Sequence, residues 1–224
     1  MIFPETSLSQ RGMRKVFLKF IVGTKVALPT SQRNKSRRLV IHGEHDLYVF
    51  LKPYASYLRS LQYFNVEYLK NGFIYKDFKL LRVLDGVPFP SQALSAVGNL
   101  IQLRYLGLSL IQVSFGLQLP RSIGKLKNLQ TLKVEYNFSS KVQYNYKDFQ
   151  IYKYSYCFPD VIWKLKNLRH LLLHETKPMN LRLDTLSNLR TLKCLGGSWI
   201  EEGGLACLTN LQQLKMVELI NNSI

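Results

Sequence analysis

Four histidines, three cysteines and one pair of adjacent glutamates are the residues of this chain that could hold a metal, attack a carbonyl or move a proton. His170 and His174 flank the run LLL, and their spacing puts both on one face of an extended segment. A metal held there would need a third ligand at recognisable spacing, and neither the pair His42 and His45 nor any other residue supplies one. No metal and no cofactor are expected. Partner-contacting or solvent-facing imidazoles are the reading for His170 and His174.

Glu201 and Glu202 precede Gly203 and Gly204. Adjacent residues on an extended segment point apart, so the two acids do not form an acid/base pair, and the Gly-Gly that follows reads as a turn. No G-x-S-x-G elbow and no Cys/His arrangement occurs. Gly124-Lys125 lacks both the upstream glycine and the following Ser or Thr of a phosphate-binding loop. Enzyme activity is therefore not expected. Cys157, Cys194 and Cys207 are far apart and make no CxxC, which argues against zinc and against a disulfide-stapled secreted fold. All three read as small buried hydrophobes in a reducing, cytoplasmic setting.

One stretch mixes aromatic and basic residues. FSSKVQYNYKDFQIYKYSYC, about 138–157, interleaves Tyr144, Tyr146, Tyr152 and Tyr154 with Lys147 and Lys153. Three readings stay open: a plain surface loop, a protein contact rich in tyrosine, or a stacking platform for single-stranded nucleic acid. Lys and Arg number 31 against 14 Asp and Glu, a formal charge of +17, which favours anionic partners or an acidic neighbouring surface.

The elements that must position these residues follow from an internal repeat. IQLRYLGL (101–108), KNLQTLKV (127–134), KNLRHLLL (166–173), SNLRTLKC (187–194) and TNLQQLKM (209–216) share Leu, two variable residues, Leu, one variable residue and an apolar residue. Looser copies occur at 37–41, 57–63 and 80–86. The central leucines are Leu39, Leu61, Leu84, Leu106, Leu132, Leu171, Leu192 and Leu214, separated by 22, 23, 22, 26, 39, 21 and 22 residues. All but one interval fit the period of a leucine-rich repeat, roughly 20–29 residues. The 39-residue interval holds the Tyr/Lys insertion.

Alternation within L-x-x-L-x-L defines a short strand with one buried face, and stacking such strands in parallel buries leucine on leucine. The fold class expected is α/β: a curved leucine-rich-repeat solenoid of about eight irregular repeats with a parallel concave sheet. LPRSIGKLKNL (119–129) and FPDVIWKLKNL (158–168) are return turns opened by proline, with Ile123, Leu126, Ile162 and Leu165 buried. RVLDGVPFP (82–90) reads as a shortened copy with an imperfect strand, and Asn137 as a turn-bonding asparagine. Alternation aims Tyr105, Thr131, Lys133, Glu135, His170, His174, Lys193, Gln213 and Lys215 at the concave face, where curved solenoids commonly bind. Lys133, Lys193 and Lys215 give that face a positive bias, unless they are simply solvated.

Residues 1–36 do not fit the repeat and read as a partly ordered N-terminal extension or the remnant of a preceding domain; 37–224 form the repeat domain. The apolar run 16–28 is interrupted by Lys19 and Lys25, too short and too charged for a spanning helix. The N-x-S matches at Asn34, Asn137 and Asn221 carry little meaning without secretion.

LPRSIGKLKNLQTL (119–132), FPDVIWKLKNLRHLLL (158–173) and LDTLSNLRTLKCLGGSWIEEGGLACLTNLQQL (183–214) resemble the repeat region of plant disease-resistance receptors of the coiled-coil nucleotide-binding leucine-rich-repeat type. The resemblance covers about residues 37–224. It implies an intracellular module that senses a pathogen effector or a guarded host protein, or holds a nucleotide-binding domain inactive. This sequence has neither the phosphate loop nor the nucleotide-sensing histidine motif of that family, so no ATP or ADP binding is expected. Two other readings are a basic nucleic-acid-binding surface and a truncated resistance-gene fragment with no independent function.

Overall fold

The central leucines stack into one column, and that column organises the molecule. A computed structural model describes residues 18–22, 37–42, 51–64, 66, 75–89, 94–110, 119–136, 156–157, 161–173, 178–179, 182–195 and 205–217. Eleven strands are formed: β1 (Leu18–Val22), β2 (Arg38–His42), β3 (Ser60–Phe64), β4 (Val83–Phe89), β5 (Tyr105–Leu110), β6 (Thr131–Tyr136), β7 (Tyr156–Cys157), β8 (His170–Leu173), β9 (Pro178–Met179), β10 (Thr191–Leu195) and β11 (Gln213–Val217). Nine of them make one sheet in the order β1-β2-β3-β4-β5-β6-β8-β10-β11, and β7 pairs β9 in a second, two-stranded sheet. Every pairing is parallel. The sheet is open, as a stacked solenoid requires.

Register follows the leucines. Leu39 pairs Leu61, Leu61 pairs Leu84, Leu84 pairs Leu106, Leu106 pairs Leu132, Leu132 pairs Leu171, Leu171 pairs Leu192 and Leu192 pairs Leu214. Each of these except Leu214 is fully buried. Two residues on, Ile41, Tyr63, Leu108, Val134, Leu173 and Cys194 build a second buried column. Leu58, Leu81, Leu103, Leu129, Leu168 and Leu189 build a third at the entrance to the strands. At roughly 1.5–3 kcal/mol per buried aliphatic side chain, these columns dominate the stability of the fold.

A backbone device repeats with them. The carbonyl of the residue before one strand accepts two successive N–H groups from the next repeat. Arg104 O accepts from Gln130 N at 2.8 Å and Thr131 N at 3.0 Å, and Gln130 O accepts from Arg169 N at 2.8 Å and His170 N at 3.0 Å.

The return side is thin. Among the described residues it contains one α-helical turn, Leu94–Val97, and 3-10 turns at Lys52–Tyr54, Tyr75–Asp77, Arg121–Lys125 and Ile162–Lys164. Pro120 caps the turn at Arg121–Lys125, and Ile123, Leu126, Ile162 and Leu165 are buried as the sequence indicates. No helix among the described residues is long and apolar enough to cross a membrane.

Two expectations need correcting. The copy at 82–90 is not shortened: β4 is seven residues long, and its register slips between Leu84 and Val87. Asp85 and Gly86 together face Gly107, a bulge that Gly86 permits with φ of 68°. The cysteines do not share one environment. Cys194 fills a core position and burial pushes its thiol up to about 11, whereas Cys207 is exposed. Apart from these, β1 lies within residues 1–36, pairs with β2 and sets Lys19 in register with Leu39. A lysine at the leucine position is why the repeat pattern does not reveal this strand.

Candidate functional site

The strand residues that alternate with the buried columns form the sheet's other face. In register they make two rows: Tyr105, Thr131, His170, Thr191 and Gln213, then Gly107, Lys133, Leu172, Lys193 and Lys215. Tyr105, Thr131, Lys133, Glu135, His170 and Lys193 are half-buried, while Gln213 and Lys215 are exposed. All eight lie on one continuous surface. His174, the ninth residue expected there, lies outside the described residues, as do Tyr144, Tyr146, Lys147, Tyr152, Lys153 and Tyr154 of the insertion.

The surface has two electrostatic ends. Around β4 to β6 it is rich in acceptors. The bulge lays the Asp85 carboxylate over Gly107, where Oδ1 accepts from Gly86 N at 3.0 Å. Burial raises the Tyr105 hydroxyl well above its usual range, and the charges of Asp85 and Glu135 and a hydrogen bond with Asp85 add to the effect. Ser109 is buried beside them. Glu135 forms an ion pair of 2.7 Å with Lys133, which cancels that lysine's charge locally. Lys133 and Lys193 are separated by Leu172, so the expected lysine row is continuous only from Lys193 to Lys215.

Toward β8 and β10 the surface changes character. His170 Nδ1 and Thr191 Oγ1 are 3.1 Å apart and link adjacent strands. Phe64, on β3, is half exposed at 52%, a large apolar contact at the opposite end. Among the described residues no group of three or more His, Cys, Asp or Glu is placed to hold a metal. The arrangement offers hydrogen bonds, charge and apolar contact on a rigid frame, which is the chemistry of recognition.

Two further rows were not singled out from the sequence. The first is an asparagine ladder. Asn128 Nδ2 donates to Ile101 O at 2.9 Å, Asn167 to Lys127 O at 2.8 Å, Asn188 to Lys166 O at 2.9 Å and Asn210 to Ser187 O at 2.7 Å. Each amide satisfies a turn carbonyl of the preceding repeat. Asn137, the asparagine expected to bond the turn, lies outside the described residues. The second row is a file of arginines at the strand entrances. Both were visible in the aligned copies, as the residue before and the residue after the first leucine.

A parallel open sheet, columns of buried leucine and short return turns define a solenoid repeat scaffold, a class that is typically non-catalytic and binds proteins. The chain belongs to the leucine-rich repeat region family, which matches residues 57–224. Among solved structures it is similar to internalin C2 of Listeria monocytogenes, with a TM-score of 0.54 and 16% identity over 82% of this chain and 72% of that one. An internalin, InlF, of the same organism gives a TM-score of 0.48 and 14% identity over 82% of this chain and 57% of that one. At 16% identity the likeness to internalin C2 concerns the fold alone.

Proposed function

We propose that this chain is the recognition module of a plant coiled-coil-type nucleotide-binding leucine-rich-repeat disease-resistance receptor, acting in the cytoplasm. It reads a protein partner on the concave face: a pathogen effector, a guarded host protein or a nucleotide-binding domain. The observation that carries the recognition reading is the unbroken register of Tyr105, Thr131, His170, Thr191 and Gln213. It presents five different side chains on one rigid surface. Its mechanism is differential binding, since a surface that prefers one state of its partner shifts that partner's equilibrium. The plant-receptor reading is supported by the stretches LPRSIGKLKNLQTL and SWIEEGGLACLTNL.

Two measurements test the two halves of this reading. A photo-crosslinking residue at Tyr105 in the purified chain, mixed with plant leaf extract, is expected to give a discrete protein adduct. The same residue at the exposed Lys125, on a return turn, gives none. Equal adducts from both positions, or none from Tyr105, would sink concave-face recognition. An immunoblot of the native product is expected to show a band far heavier than 26.0 kDa. A single band at 26.0 kDa would remove the receptor and leave the recognition module.

A further inference from the structure

The residue just before each strand from β2 onward, excluding the second sheet, is Arg37, Arg59, Arg82, Arg104, Gln130, Arg169, Arg190 or Gln212. Six of the eight are arginine and none is acidic. Their backbones are fixed, because each carbonyl from Arg37 to Arg190 accepts the paired N–H groups of the following repeat. Neighbouring strands lie about 4.8 Å apart, so the six steps from Arg37 to Arg190 carry the row across about 29 Å. Arg37, Arg82, Arg104, Arg169 and Arg190 are exposed. Ion pairs among the described residues join Lys133 to Glu135 and Arg182 to Asp184, so no described carboxylate neutralises the row. Like charges one strand apart repel, and an anion laid along them relieves that repulsion.

A groove opens at the turns that lead into Gln130 and Arg169. Lys127, Lys164, Lys166, Asn167 and Trp163 line it. Lys127 Nζ donates to Lys164 O at 3.2 Å. The half-buried Trp163 ring has Lys164 Nζ at 5.3 Å and the Arg182 guanidinium at 5.5 Å from its centroid. Basic groups that follow a line, with an aromatic ring among them, are what single-stranded nucleic acid binds.

We infer that this strand-entrance edge docks a single-stranded nucleic acid, with phosphates along the arginine row and bases toward Trp163. Guanidinium forks match phosphate oxygens two at a time, and a row of one sign matches a polymer of repeating charge. An acidic protein surface lacks that uniform repeat. The site is separate from the concave rows and stands or falls independently of the receptor reading.

Fluorescence anisotropy with labelled oligo(U) and oligo(dT) tests it, using the whole chain. Both are expected to bind at low salt with little base preference. Arg82→Gln/Arg104→Gln/Arg169→Gln/Arg190→Gln should weaken binding at least about tenfold and flatten the log–log salt slope by roughly 3, near 0.7 per phosphate contact. A charge-matched control on the return turns, Lys52→Gln/Lys76→Gln/Arg121→Gln/Lys125→Gln, should change affinity less than about twofold. Should the arginine variant lose its folded circular-dichroism signal, Lys164→Gln/Lys166→Gln, at two groove lysines, is the milder probe and should flatten the slope by roughly 1.4. Equal loss in the control means net charge alone and overturns the proposal. So does displacement of oligo(U) by poly-glutamate at equal charge, which points to an acidic protein, or an absence of binding at low salt.

Discussion

The carboxylate of Asp85 occupies the space where a side chain at Gly107 would start. A Cβ at position 107 would overlap Asp85 Oδ1 and lie 3.2 Å from the ring of Tyr105. The bulge in β4 and the missing side chain in β5 are therefore two halves of one arrangement. Gly107→Ala must push the carboxylate off the Gly86 N–H and should cost about 1–3 kcal/mol, the usual range for overpacking. With Asp85→Ala already present, the same change should cost at least about 0.5 kcal/mol less, measured by urea denaturation of all four proteins. Additive costs would mean that the two positions do not meet.

The leucine column predicts a gradient of sensitivity along the solenoid. Leu132 and Leu171 have a strand on each side and are fully buried, whereas Leu214 on β11 is 40% exposed. Leu132→Ala or Leu171→Ala should cost about 2–5 kcal/mol, and Leu214→Ala roughly 1 kcal/mol, in the same denaturant assay. Equal costs would show that β11 is as well covered as the interior strands.

This gradient also shows what the sequence makes legible. Period and alternation locate every strand whose centre is a leucine, because burial of that residue admits few substitutes. The rows of the sheet's other face follow from the same alternation, which puts Tyr105, Thr131, His170, Thr191 and Gln213 in one register. The strand at Leu18–Val22 stays hidden because Lys19 holds the leucine register. The bulge stays hidden because Asp85-Gly86 reads as a deletion when counted along the chain, and only pairing with Gly107 shows two residues opposite one. Charge pairing is equally silent in sequence: nothing marks Lys133 as the partner of Glu135 rather than as one of a lysine file.

The asparagine ladder replaces solvent at turn carbonyls between repeats, so its members should act locally and alike. Asn167→Ala and Asn188→Ala should each cost about 1 kcal/mol, the net value of one hydrogen bond. Asn167→Asp should be worse, since a carboxylate faces the Lys127 carbonyl without a proton to donate. Asn99→Ala, at an exposed asparagine outside the ladder, serves as the reference and should be neutral. Thermal melts of the four variants decide it, and a ladder whose alanine variants melt with Asn99→Ala has no structural weight.

Tyr63 and Tyr75 contribute to the response to alkali, beside Tyr105 and Cys194. Their hydroxyls lie 3.4 Å apart inside the core, and Tyr75 also packs edge-on against Phe78 with ring centroids 6.3 Å apart. Burial raises both hydroxyls far above the ordinary value of 10.0; for Tyr63 the neighbouring hydroxyl raises it further. A folded state that keeps its proton where the unfolded chain has lost it binds more protons, so stability falls as pH rises. The tyrosine part of the loss should begin near pH 10, where unfolded tyrosine ionises, and deepen with each further unit. Tyr63→Phe/Tyr75→Phe removes both groups and should flatten that decline while leaving stability at pH 7 within about 1–2 kcal/mol, because the two hydroxyls are lost together. Urea midpoints at pH 7, 10 and 11 for the two proteins give the answer; an unchanged alkaline slope in the double variant would assign the decline to other groups.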